Sequence, residues 1–163
     1  ISLFLPFFTG EERQENLIPL KHLPTTSAKR VLLVEDDAQL RQVVAEMLAS
    51  LGHTVVEVQD GKYASEKLAK AAHQFDLVIS DIVMPNGLGG VKLAETIQRE
   101  YPTIKIVLMS GYADRELPAS VSLNCAFIQK PFNLAELQRS IGDLFNDAGQ
   151  NKSDESRISI PPP

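Results

Sequence analysis

Short apolar runs alternate with helical stripes through the middle of the chain. Arg30 to Val34 (RVLLV) is an apolar, β-branched run of strand length, the pattern of a strand buried on both faces. Leu40, Val43, Val44, Met47, Leu48 and Leu51 then recur at helical spacing, and Gly52 ends that helix. His53 to Val58 (HTVVEV) reads as a second strand. Asp60-Gly61 turns the chain into a helix carrying Tyr63, Leu68 and Ala71. Phe75 to Ser80 (FDLVIS) is a third strand, with Asp81 immediately after it. A loop with Pro85, Gly87, Gly89 and Gly90 leads to a helix with Val91, Leu93, Ala94 and Ile97, which Pro102 stops. Ile104 to Met109 (IKIVLM) is a fourth strand, followed by Ser110-Gly111 and a weak helical stretch broken by Pro118. Cys125 to Ile128 is a fifth, followed by Lys130-Pro131. Leu134, Leu137, Ile141, Leu144 and Phe145 mark a last helix that Asn133 can cap. Such alternation implies an α/β fold, a doubly wound (βα)5 parallel sheet covered on both faces. Active groups in such sheets gather at the carboxyl ends of the strands.

The flanks read differently. Residues 1–8 are apolar and too short to span a bilayer, and suggest a lone strand stopped by Pro6. Residues 9–28 have linker composition. Residues 147–163 are polar, close on three prolines and are expected to form a disordered tail. One domain over residues 29–146 remains. With 16 basic against 21 acidic residues the net charge is −5, so nothing favours nucleic-acid binding through bulk electrostatics, and none is expected. A single cysteine, Cys125, allows neither an internal disulfide nor a thiolate metal cage. No apolar run approaches the roughly 18 residues of a membrane span, so no direct membrane contact and a cytoplasmic location are expected.

The strand ends carry the chemistry. Glu35, Asp36 and Asp37 follow the first strand, Asp81 the third, Ser110 the fourth and Lys130 the fifth. Carboxylates gathered on one sheet edge repel each other, and a divalent cation relieves that repulsion; hard oxygen donors suit Mg2+. A lysine adds a second positive charge, and a hydroxyl can hydrogen-bond an anionic oxygen. These parts suit phosphoryl transfer, which depends mainly on positioning and charge neutralisation. A carboxylate can itself be the nucleophile and form an aspartyl-phosphate.

Val34-Glu35-Asp36-Asp37, Asp81-Ile82-Val83-Met84-Pro85, Met109-Ser110-Gly111 and Lys130-Pro131-Phe132 stand in this order, each at a strand end. Together they resemble the receiver domain of two-component response regulators over roughly residues 29–146. The resemblance implies a flavodoxin-like sheet with strand order 2-1-3-4-5. It implies Asp81 as the phosphoacceptor and Asp36, Asp81 and the Val83 backbone carbonyl as Mg2+ ligands, with Glu35 acting through a metal-bound water. Ser110 and Lys130 would hold the phosphoryl oxygens. Ser110 and Phe127 would form the switch, and the Lys130–Pro131 bond would be cis. The implied partner is a histidine kinase domain, in the same chain; from Asp81 the phosphoryl group passes to a histidine phosphotransfer protein, or the switch instead restrains the kinase.

There are departures from that pattern. Phe127 lacks the hydroxyl of the Tyr or Thr frequent in the family. The loop Asn86-Gly87-Leu88-Gly89-Gly90 is one residue longer than the common single-domain form and resembles receivers fused to sensor kinases, with Gly89 where Asp, Asn or Ser is frequent. Val83 has no polar group to orient an attacking water, so slow self-dephosphorylation is expected. Ser2-Leu3-Phe4-Leu5-Pro6 is similar to the last strand of histidine kinase ATP-binding domains. With the linker, it implies the carboxyl-terminal receiver of a hybrid histidine kinase.

Blander roles compete. Asp37 suits a helix cap. Cys125 suits a small buried apolar position. The scattered His22, His53 and His73 suit surface or turn roles. The glycine-rich loop lacks the Gly-Lys-Ser/Thr ending of a phosphate-binding P-loop and reads as a flexible turn. Two other functions compete with phosphoacceptance. An aspartate-nucleophile phosphatase would want an acid where Val83 stands. A phosphorylation-independent binding module would not need the intact acid set.

Overall fold

The computed structural model describes residues 27–84, 88–111 and 125–146. The strands are β1 (Arg30–Val34), β2 (Thr54–Val58), β3 (Leu77–Asp81), β4 (Lys105–Ser110) and β5 (Ala126–Gln129). The helices are α1 (Ala38–Ser50), α2 (Gly61–Ala71), α3 (Gly90–Glu100) and α4 (Leu134–Asn146), with a short 3₁₀ turn at Ala72–Gln74. All four strand pairings are parallel and the order is β2-β1-β3-β4-β5.

Period-two alternation along each strand divides the core into two layers. Leu32, Val34, Val78, Ile106 and Leu108 face α2 and α3, where they pack with Ala64, Leu68, Leu93 and Ile97. Val31, Leu33, Leu77, Ile79, Val107 and Met109 face α1 and α4, where they meet Val44, Leu48, Leu137 and Ile141. The central strand β3 is buried at every position, while edge strand β2 is buried only at Val58. That contrast explains why β3 reads as a continuous apolar run and β2 as a mixed one.

Helix ends are set by local chemistry. Asp37 caps α1, its Oδ1 accepting the N–H groups of Gln39 and Leu40 at 2.8 and 2.9 Å. Asp60 caps α2 through the Tyr63 N–H. Asn133 and Glu136 form a reciprocal capping box at α4: the Glu136 N–H donates to Asn133 Oδ1 and the Asn133 N–H to Glu136 Oε2. Gly52, at φ 86°, takes the left-handed turn after α1.

Three expectations need correction. β3 runs on to Asp81 and β4 to Ser110, because ladder pairing extends to Asp81↔Met109 and Ser110↔Gln129. His53, read as the start of the second strand and as a surface or turn residue, lies just before β2 and is buried; its Nδ1 accepts the Lys29 N–H at 3.2 Å. Gly90 is no loose turn residue: it opens α3 directly against the backbone carbonyl of Asp81, where a Cβ would collide. The expectations for residues 1–26, for Pro85 and Gly87, for the helix around Pro118 and for residues 147–163 lie outside the described residues. Among the described residues, no helix is long and apolar enough to cross a membrane.

Candidate functional site

The strand ends meet as a single polar site. β1 and β3 are neighbours, so Glu35 and Asp36, just past β1, come beside Asp81, the last residue of β3. One carboxylate oxygen from each of Glu35, Asp36 and Asp81 lies within 4.8 Å of the others. Glu35 is 1% and Asp81 8% exposed, while Asp36 faces solvent. The site therefore has two sheltered acids and one open to an incoming ion or donor.

Lys130 reaches across from the end of β5. Its Nζ lies 2.8 Å from Glu35 Oε2 and 2.8 Å from Asp81 Oδ2. The Lys130–Pro131 bond is cis. The Lys130 N–H donates to the Ser110 carbonyl at 2.8 Å, which ties the start of the β5–α4 loop to the end of β4. Ser110 is half-buried at that end. Burial pushes the Glu35 carboxyl above its ordinary value, with the Lys130 ammonium pulling in the opposite direction. Burial works against the charge on Lys130, but the hydrogen bonds it donates to Asp81 and Glu35 outweigh it and hold the ammonium above its usual range.

Backbone groups complete the frame. The Val83 N–H donates to Asp81 Oδ1 at 3.4 Å, and the Asp37 N–H to Glu35 Oε1 at 3.3 Å. Val83 itself is 56% exposed beside the Asp81 carboxylate and offers no polar side-chain atom. Asp37 is drawn into its cap, and those hydrogen bonds from Leu40 and Gln39 hold its carboxyl below the ordinary value. It thus caps the helix, apart from the acid cluster. Phe127 lies on β5 opposite Leu108, 43% exposed, between the inward-packed Ala126 and Ile128.

Glu35, Asp36, Asp81 and Lys130 are thus brought together, with Ser110 and Val83 on the adjoining strand and loop. Three acids against one ammonium leave an excess of negative charge, and their oxygens suit a small divalent cation. Two residues that shape this site carry no signal by residue type alone. Gly90 allows α3 to abut Asp81, and Arg41 packs behind the β1–α1 loop. A helix signal beginning at Ala38 places Arg41 in the first turn, where a long side chain points back toward the preceding loop.

Residues 31–142 match the sequence profile of the response regulator receiver domain. A sensor kinase, CckA of Brucella abortus, is 32% identical over 155 residues, covering 88% of this chain and 16% of the kinase. A response regulator receiver protein, CpdR of the same organism, is 32% identical over 119 residues, covering 69% of this chain and 93% of that protein. The crystal structure of a response regulator receiver protein from Sinorhizobium medicae superposes with a TM-score of 0.67 at 29% identity, covering 74% of this chain and 96% of that one. The chain spans less than a quarter of the length of some relatives, CckA among them. The matched residues, the 2-1-3-4-5 sheet and the acidic strand-end site agree, and the chain belongs to the response regulator receiver family of two-component signalling.

Proposed function

We propose that this receiver accepts a phosphoryl group on Asp81 from a phosphohistidine of a kinase domain. The observation that carries the reading is the paired contact of Lys130 Nζ, 2.8 Å from both Asp81 and Glu35, over a cluster of three acids. An Asp81 oxygen attacks phosphorus, a P–O bond forms, and the P–N bond to the donor imidazole breaks. The imidazole leaves with the electron pair and takes up a proton. Asp36 and Asp81, with the Val83 carbonyl, would hold Mg2+, and Glu35 would act on it through a water. When bound, the ion neutralises charge on the transferring group. Lys130 shifts from its carboxylate partners to a phosphoryl oxygen, and the Ser110 hydroxyl donates to another.

Phosphorylation adds about 1.5–2 negative charges at the site. Ser110 moves toward them, and Phe127 leaves its exposed position as the β4–β5 region changes state. The exposed apolar Val83 leaves attacking water without an orienting group, so the phosphorylated form decays slowly. An aspartate phosphatase is disfavoured for the same reason, since no acid stands at Val83. A phosphorylation-independent binder is disfavoured by the complete acid and lysine set.

The partner is a histidine kinase domain at the cytoplasmic side, and the phosphorylated receiver either passes its phosphoryl group to a histidine phosphotransfer protein or restrains the kinase. The similarity to the sensor kinase covers 88% of this chain, more than residues 29–146 account for. That extent supports a hybrid kinase setting, in which residues 1–8 are the last strand of an ATP-binding domain and residues 9–28 the linker to the receiver. The test is transfer of labelled phosphate from an autophosphorylated histidine kinase core. Label should pass to the native chain with Mg2+, and pass to neither Asp81→Asn nor a chelator-treated native sample. Labelling of Asp81→Asn equal to native would remove Asp81 as the acceptor.

A further inference from the structure

We infer that Arg41 is a positioning residue that sets the metal affinity of the acid cluster by holding the backbone that carries Glu35 and Asp36. This rests on the Mg2+-dependent acceptor reading above.

The carbonyls of Glu35 and Asp36 fall in the short gap between the end of β1 and the start of α1. They lie past the paired residues of β1 and before the Asp37 carbonyl, which takes the first helical bond from the Arg41 N–H. Arg41 supplies donors to both. Its Nη1 lies 2.6 Å from the Glu35 carbonyl and 3.4 Å from that of Asp36. On its other edge, Nε faces Glu57 Oε2 of β2 at 3.8 Å. One planar guanidinium thus spans the loop and the neighbouring edge strand, while its side chain is only 19% exposed. An ammonium has no such fork and cannot fill the same set of contacts.

The consequence follows from where the two carbonyls sit. Glu35 turns inward to Lys130 and Asp36 faces solvent, so the peptide between them sets the angle between two of the three acids. The Glu35 N–H is already fixed to the Val58 carbonyl at 3.2 Å. Arg41 fixes the opposite, carbonyl side. Without it the Asp36 carboxylate loses its defined distance to Asp81, and an ion must order the loop as it binds. Groups that orient metal ligands in this way typically govern affinity by about ten- to a hundredfold.

The test uses the full chain with Mg2+ as the probe, in Arg41→Ala, Arg41→Lys and Glu57→Gln. Calorimetric titration gives the Mg2+ dissociation constant, and phosphorylation by a small acyl phosphate gives the rate at saturating Mg2+. Arg41→Ala should weaken Mg2+ binding about tenfold and keep most of the saturated rate. Arg41→Lys should restore only part of the affinity, and Glu57→Gln should shift it less than either. Thermal unfolding without Mg2+ accompanies each variant. A loss of melting temperature with an unchanged Mg2+ constant would make Arg41 merely structural and overturn the inference. If Arg41→Ala fails to fold, the Arg41→Lys constant decides alone, and a native value there overturns it. A native chain that binds no Mg2+ would overturn the acceptor reading and this inference with it. A native chain that binds Mg2+ normally, beside unchanged Arg41 variants, would overturn this inference alone.

Discussion

Removing the Lys130 ammonium isolates the electrostatic balance of the site. In Lys130→Met the stem is kept and the charge is lost, so Glu35, 1% exposed, and Asp81 face each other without a counter-ion. At 2.8 Å each lost contact carries roughly 6 kcal/mol of Coulomb energy at an effective dielectric near 20, and much of that offsets the desolvation of the ammonium. Breaking a buried pair costs about 3–5 kcal/mol. Lys130 keeps 20% of its side-chain surface in water and Glu35 can protonate, so a loss of about 2–3 kcal/mol at pH 7 is expected, a fall of roughly 10 °C in Tm.

The pH dependence has a definite sign. The Glu35 carboxyl is raised in the fold, so its unfavourable charge is absent below the ordinary value of 4.5 and sets in as pH rises through the folded value. Losing Lys130 removes the group that opposes that rise. The deficit of Lys130→Met against native should therefore be largest near pH 7 and shrink toward pH 4.5. Mg2+ should restore more stability to the variant than to the native chain, because the ion supplies the missing charge. Thermal melts across pH 4.5–8, with and without Mg2+, measure both effects. A deficit constant across that range and indifferent to Mg2+ would show that Lys130 stabilises by packing, and the electrostatic reasoning would fail.

Other perturbations have equally definite outcomes. Gly90→Ala drives a methyl group into the Asp81 carbonyl and should cost about 2–3 kcal/mol in denaturant melts; a variant as stable as native would mean that α3 shifts freely away from the site. Val83→Asn places an amide beside Asp81 and should shorten the lifetime of the phosphorylated form, followed by phosphoprotein gel mobility; native decay already complete within seconds would contradict the role given to Val83. His53 must stay neutral to accept the Lys29 N–H, and burial, with the Lys29 charge, lowers its value from 6.5. Its contribution is thus present above pH 6.5 and lost as pH falls through the folded value, so His53→Asn should flatten the fall in Tm on the acid side.

The apolar runs located all five strands to within one or two residues, because a sheet covered on both faces demands continuous burial in its central members. The strand ends are read less sharply. There, polar residues such as Asp81 and Ser110 continue the ladder although their side chains belong to the site. Glu35, Asp36, Asp81 and Lys130 were legible because their residue types and strand-end positions point to one chemistry. Arg41 was not, since its nearest partners are backbone carbonyls, which leave no trace in side-chain patterning, and Glu57 meets it only across the fold. Gly90 read as a flexible turn because a close approach to Asp81 depends on how α3 meets β3 in space. His53 read as a turn or surface residue because nothing local signals the Lys29 N–H pointing at its ring.

The most direct measurement is the intact mass of the native chain and of Asp81→Asn after incubation with Mg2+ and a small acyl phosphate. One added phosphoryl group on the native chain, absent from Asp81→Asn and absent with a chelator, is the result expected of an acceptor built around Asp81, Lys130 and the acid cluster. A phosphoryl group carried equally by Asp81→Asn would contradict it.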